Sequence, residues 1–167
     1  YEYAQRGERG CAELLLKRFK DETLYNHDSK EWLKYDNGVW VKDSISNITW
    51  RSQKFLLEVF PEVARLAEGQ EFRLKQLARD DSDNEQELKR EANRYKKYAK
   101  SFDQTKKAIT YKKTSDQILA LLATEEDIGT ATTNFDQHPL LINLQNGYYD
   151  LEQGQFYDSD PKKRFLC

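Results

Sequence analysis

The sequence predicts an α+β protein: an N-terminal β-hairpin, a mainly helical middle with one long basic amphipathic helix, and a C-terminal β-hairpin or meander. Three observations carry this reading. Asn37-Gly38 and Asn146-Gly147 each sit between runs of β-formers, and Asn-Gly tolerates the positive φ angles of a tight hairpin turn. Between these two pairs, apolar residues recur at steps of three and four, the period of a helical face. The length of 167 residues suits one domain, 1–167, with the first and last few residues as linker.

In chain order, Ala12, Leu15, Leu16 and Phe19 mark a helix from about Gly7 to Phe19. Strands follow at about 31–36 and 39–43, joined by Asn37-Gly38. Trp32 and Trp40 lie on opposite arms, where paired aromatics would lock the register and anchor the hairpin to the helical body. A helical region from about Asn47 to Glu68 has Ser44 or Ser46 as N-cap. Pro61 lacks an amide hydrogen and is expected to kink or split it. After the polar break Asp80-Asp81-Ser82-Asp83-Asn84, the stripe Leu88, Ala92, Tyr95, Ala99, Phe102 and Ile109 marks a helix of about 25–30 residues. A bend is expected near Ser101. Thr114 and Gln117 match a capping box opening a short helix through Ile118, Leu119, Leu121 and Leu122. Beyond a loop with Phe135 and Pro139, strands are expected at 140–144, 148–151 and 155–157, with turns at Asn146-Gly147 and Gln153-Gly154.

Composition excludes several classes. With 27 Lys+Arg against 29 Asp+Glu and 13% aromatic residues, the chain is not of the disordered type. No apolar run approaches a membrane span and no secretory leader is visible, so a soluble protein without membrane partners is expected. The absence of Met and the start at Tyr1 point to a piece of a longer polypeptide. Cys11 and Cys167 form no metal-binding set and are read as two free thiols in a reducing compartment. No glycine is followed by Lys, so no phosphate-binding loop and no nucleotide cofactor is expected in this chain. His27 and His138 lack partners at ligand spacing. Asp81 and Asp83 could in principle share Mg²⁺, but they sit in a solvated loop. No metal site and no nucleophile elbow is expected, and the chain itself is read as non-enzymatic.

One stretch stands out. Residues 89–113 hold ten basic residues (Lys89, Arg90, Arg94, Lys96, Lys97, Lys100, Lys106, Lys107, Lys112 and Lys113) against two acidic ones, Glu91 and Asp103. Tyr95, Tyr98, Phe102 and Tyr111 are interleaved. Cations of this kind can neutralise phosphates and exposed aromatics can stack on single-stranded bases. A partner surface and a plainly solvated face remain open beside that reading. The candidate nucleic-acid contacts are Lys89, Arg90, Arg94, Lys97, Lys100, Lys106 and Lys107. Of these, Arg90, Arg94, Lys97 and Lys100 are placed in a sector away from the apolar stripe.

Two motifs carry a resemblance. Trp32-Leu33, Asp36, Gly38 and Trp40 form a W-L…D…G…W element. Phe135, Asp136, Pro139, Asn143, Asn146, Gly147, Asp150, Leu151 and Gly154 fall in register with an F-D-x-x-P-x-L-x-N-x-x-N-G-x-x-D-L-x-x-G pattern, while Leu24 and Ser159 depart from common choices around it. With Gly10-Cys11-Ala12-Glu13 before them, these segments resemble the module immediately N-terminal to the superfamily-three helicase domain of phage and poxvirus-type DNA primase-helicases. The resemblance implies a non-catalytic domain of a phage or prophage replication protein in a bacterial cytoplasm. Its implied partners are single-stranded DNA and the helicase domain of its own chain, with homo-oligomers formed through the parent ring. ATP and Mg would be used by the parent alone. A loader-binding or oligomerisation module with no DNA contact is the alternative. The motif residues themselves read as structural: glycines for turns, and Asn143, Asn146 and Asp150 for satisfying backbone groups.

Overall fold

At the first turn, Asn37 and Gly38 adopt φ of 48° and 87°, the two positive angles of a type I′ hairpin. The computed structural model describes Tyr3 and residues 6–166. Its elements are α1 (Gly7–Phe19), β1 (Thr23–Asn26), β2 (Glu31–Asp36), β3 (Val39–Asp43), α2 (Ile45–Asp80), α3 (Glu85–Ala108), α4 (Lys112–Ala123), β4 (Gly129–Thr130), β5 (Leu141–Leu144), β6 (Gly147–Asp150) and β7 (Gln155–Asp158). Short 3₁₀ turns occupy Thr132–Asn134 and Pro161–Lys163. The fold is α+β, and the described residues form two compact units. One comprises residues up to Leu14 with Thr49–Leu121; the other comprises Leu15–Ile48 with residues from Leu122 on.

The second unit contains both sheets. The expected hairpin β2–β3 is part of a four-stranded sheet ordered β3-β2-β1-β4, in which β4 runs parallel to β1. β5, β6 and β7 form the expected antiparallel meander. Register corrects the expected tryptophan pair. Tyr35 stands opposite Trp40 and Trp32 opposite Asp43, so two residues of equal parity on the two arms face opposite sides of the sheet. Trp32 packs on Tyr25, with ring centroids 5.0 Å apart. Trp40 is buried with Leu24, Leu33 and Phe135, and its ring lies 5.3 Å from that of Tyr35. Its anchor within the unit is the C-terminal segment rather than helices: the indole Nε1 donates to the Pro161 carbonyl at 2.9 Å, and the backbone N donates to Phe165 at 2.7 Å. At the other end of the sheet, the Asn26 side chain donates to Thr132 Oγ1 (3.0 Å) and accepts from the Asp28 amide (2.9 Å), which ties β1 to the segment after β4.

The first unit is helical. Ser44 caps α2, its hydroxyl accepting from the Asn47 amide at 3.0 Å. Contrary to expectation, α2 is not split at Pro61 and does not stop near Glu68; it continues for 36 residues. Pro61 is exposed, while Leu56, Phe60, Ala64 and Ala67 on either side of it are buried. Side-chain burial on both sides thus outweighs one lost backbone bond at a solvent-facing position. The chain turns at Asp81, whose carboxylate accepts from the amides of Asp83 and Asn84 (3.2 Å each) and from the Asn84 side chain (2.9 Å). These bonds hold its carboxyl below the usual range, the Asn84 side chain acting most strongly, and commit it to the turn. α3 passes through Ser101 unbroken. Phe60 meets Phe102 with centroids 5.5 Å apart.

The expected capping box at Thr114 does not form. α4 begins two residues earlier, where the Tyr111 carbonyl accepts from the Ser115 amide at 3.2 Å. Ser115 is instead buried and donates to the Ile109 carbonyl at 2.9 Å, and Gln53 donates to both. Cys11 is a free, buried thiol, and burial, with Glu8 nearby, pushes it up to about 12. Cys167 lies outside the described residues.

Three glycines give opposite expected results. A Cβ at Gly147 would stand 2.1 Å from the Tyr157 carbonyl oxygen and 2.4 Å from the Phe156 ring. The need at Gly147 is therefore room between paired strands rather than a positive φ. Gly38 combines positive φ with a close approach, since its Cβ would lie 3.2 Å from Ser159 Oγ. Gly69, within α2, faces open space. Gly147→Ala and Gly38→Val should each lower stability by about 1–3 kcal/mol, whereas Gly69→Ala should raise it by about 0.5–1 kcal/mol. Urea midpoints of the three variants check the signs; a neutral Gly147→Ala would contradict the strand packing.

Candidate nucleic-acid interface

Along α3 the solvent-facing ridge is built by spacing alone. Arg90, Asn93, Lys97, Lys100, Gln104 and Lys107 follow one another at steps of three and four, and all are exposed. The ridge contains no acid and no apolar side chain. At 1.5 Å of rise per residue, it extends about 25 Å from Arg90 to Lys107. Its four cations make no ion pair or hydrogen bond with another side chain among the described residues, and Lys96 flanks them, equally exposed. The opposite face buries Ala92, Tyr98, Ala99 and Phe102, with Leu88 and Tyr95 half-buried.

Of the seven cations expected at a nucleic-acid contact, the fold brings Arg90, Lys97, Lys100 and Lys107 together on this ridge. The other three are placed differently. Lys89 pairs with Glu85 one turn before it. Arg94 is exposed but tied to a core residue: its Nε donates to the Tyr98 hydroxyl at 2.7 Å, and its guanidinium lies 5.6 Å from the centre of that ring. This bond explains why Tyr98, absent from the expected stripe, is buried, because its phenol has a partner. Lys106 leaves the helix in the sector of Ala92 and Ala99, away from the ridge, and is exposed at the helix end. Asn93 and Gln104 are legible as ridge members only by applying the helical period to the polar residues as well as the apolar ones.

The residues of the two sequence patterns all lie in the second unit and do turn-building and packing work. Trp40 and Phe135 share the buried cluster. Asp36 accepts from the Asn37 side chain at 3.0 Å. Asp136, at φ 51°, accepts from the Leu166 amide at 3.1 Å. Asp150 accepts from the amides of Glu152 (2.9 Å) and Gln153 (3.0 Å), and Gly154 follows at φ 64°. Asn143 sits beside Gly38, its Oδ1 lying 3.6 Å from where a Cβ would stand. Pro139, Asn146 and Leu151 are exposed. A groove of this unit, about 360 Å³, mixes Lys20, Lys162 and Arg164 with Asp21, Glu126 and Asp127 and so has no single-sign field to attract a polyanion.

Among the described residues no group of His, Cys, Asp and Glu is arranged to hold a metal ion, and no helix is long and apolar enough to cross a membrane. Compared with known families, residues 12–167 match the family model described as D5 N terminal like. No curated protein and no solved structure matches the chain.

Proposed function

Because the chain belongs to the D5 N-terminal-like family, a non-catalytic module found N-terminal to helicase domains in phage and viral primase-helicases, we propose that it positions single-stranded DNA for an adjoining ATP-driven helicase during phage or prophage replication in a bacterial cell. The parent would be a superfamily-three, ring-forming enzyme using ATP and Mg; the module contributes contacts rather than chemistry. The observation that carries this reading is the α3 ridge: four exposed cations over about 25 Å, unpaired among the described residues and free of acids. Such a row neutralises phosphates, releases counterions, and is indifferent to sequence.

A second reading, an oligomerisation surface with no DNA contact, is favoured by one feature of the second unit. Ile142, Tyr149 and Phe156 share a rung of the meander, and Ile142, Leu144 and Phe156 are exposed on its outer face beside Leu140 and Leu151. Contiguous exposed apolar surface of this kind marks contact sites. Dissociation constants for single-stranded DNA at two salt concentrations separate the readings. The DNA reading expects affinity that falls steeply with salt; the oligomerisation reading expects negligible binding even at low salt, together with a mass above that of the monomer by light scattering.

A further inference from the structure

The corner between α3 and α4 departs from what helix stability alone would select. Tyr111 occupies the position whose carbonyl accepts the first bond of α4, where Ser, Thr, Asp or Asn would cap the helix and Tyr cannot. Lys112 and Lys113 fill the first turn, which holds no acid, although the positive end of the helix dipole disfavours cations there. Lys106 and Lys107 end α3 immediately before. All four lysines are exposed, and none has a side-chain partner among the described residues. Local choices that oppose the fold without compensation mark places under functional selection.

The aromatic at this corner has its own peculiarity. Of the four aromatics interleaved with the cations, Tyr98 and Phe102 are buried and Tyr95 is half-buried. Tyr111 alone projects, 68% exposed, with no ring partner among the described residues. A large exposed ring with four exposed lysines within five residues of it in sequence has one chemical use that explains both parts: the ring offers a π-face and the ammoniums hold the phosphates on either side of a base stacked on it. An acidic peptide would use the charges and leave the ring idle. Duplex DNA would meet the cations but keep its bases inside the stack.

We infer that Tyr111 is a stacking platform for an unpaired base, flanked by Lys106, Lys107, Lys112 and Lys113, at the end of the ridge that follows the strand backbone. This rests on the DNA reading of the α3 ridge and adds to it what the strand must be: single-stranded, with a base contact at the corner and backbone contacts along the helix.

The test uses the 167-residue chain and two labelled probes of about 16 nucleotides, the upper end of a single-module site: oligothymidylate, and an abasic strand with the same phosphates. Wild type should bind oligothymidylate about tenfold tighter than the abasic strand, the size of one stacked base. Tyr111→Ala should bind both probes equally, at the wild-type abasic level and with an unchanged salt slope. Tyr111→Phe should behave as wild type. Because the side chain is exposed, all three proteins should share one thermal midpoint. If wild type binds oligothymidylate and Tyr111→Ala binds it equally well, the platform is overturned while the ridge stands. If wild type binds neither probe at low salt, the ridge reading falls and the platform with it.

Discussion

Trp40→Ala should lower stability by about 3–5 kcal/mol, the range for deleting a large aromatic from a packed interior. Trp40 is 2% exposed, and its ring is enclosed by Leu24 from β1, Leu33 and Tyr35 from β2, and Phe135 from the loop before β5. Removing the indole opens a cavity lined by segments from both ends of the chain. It also strips the Pro161 carbonyl of one of its two donors, leaving the Arg164 amide at 3.3 Å. The two contributions can be separated. Trp40→Phe keeps most of the apolar packing and removes only the hydrogen bond, so it should cost about 0.5–1.5 kcal/mol, the net contribution of one such bond, since the Arg164 amide still donates to the Pro161 carbonyl. Trp32→Ala provides a comparison on the opposite face of the same sheet, where the packing is on Tyr25. Urea midpoints followed by tryptophan fluorescence would check the series; an unchanged midpoint for Trp40→Ala would mean that the hairpin hangs outside the core.

The elements that sequence reasoning recovered are those whose signals are local. Asn37-Gly38 specifies its own turn, because few residue pairs accept two positive φ values in succession. The strands beside it follow, and α1 follows from the spacing of Ala12, Leu15 and Phe19. β1 was missed for a physical reason. Thr23-Leu24-Tyr25-Asn26 is four residues long, and its second neighbour β4 is only two residues, about a hundred positions away. Neither is a strand except in the presence of the other and of β2. The failed Trp32–Trp40 pairing is a matter of parity: placing two aromatics on opposite arms says nothing of faces until the register is known. Pro61 misled in the other direction. A local rule predicted a kink or a split at Pro61; the helix is not split, and the burial of Phe60 and Ala64 on either side holds it together.

The site was legible as charge and illegible as arrangement. The surplus of lysine and arginine over residues 89–113 is plain in the sequence. What the sequence hid is that Tyr98 is buried, which widens the covered sector of α3 and draws Arg94 into a bond with its hydroxyl. Nothing in the spacing of apolar residues signals this, since a tyrosine can serve either face. Placing Tyr98 in the core turns the cationic row away from Arg94 and toward Lys107.

That shift decides which residues a charge-reversal experiment should touch. Lys97→Glu, Lys100→Glu and Lys107→Glu, combined, are expected to weaken single-strand binding at low salt by at least about tenfold. They should also flatten the salt dependence by about 2 in log–log slope, at roughly 0.7 for each phosphate no longer neutralised. One module offers few phosphate contacts, so its wild-type affinity is expected to be micromolar or weaker and the difference between proteins is the readout. The fold should survive. The three side chains are exposed and contribute little individually. Only Lys107→Glu carries a small penalty, about 0.3–1 kcal/mol, because it sets an acid at the negative end of the α3 dipole. Lys20→Glu, Lys42→Glu and Lys162→Glu make the same change in net charge within the other unit and should leave the slope as in wild type. Arg94→Ala tests the reassignment of that residue: it should lower the urea midpoint by removing its hydrogen bond to the buried Tyr98 side chain and leave the salt slope nearly unchanged. If instead Arg94→Ala flattens the slope while the lysine triple leaves it intact, the strand lies against the flank of α3 and the ridge is only its solvated edge.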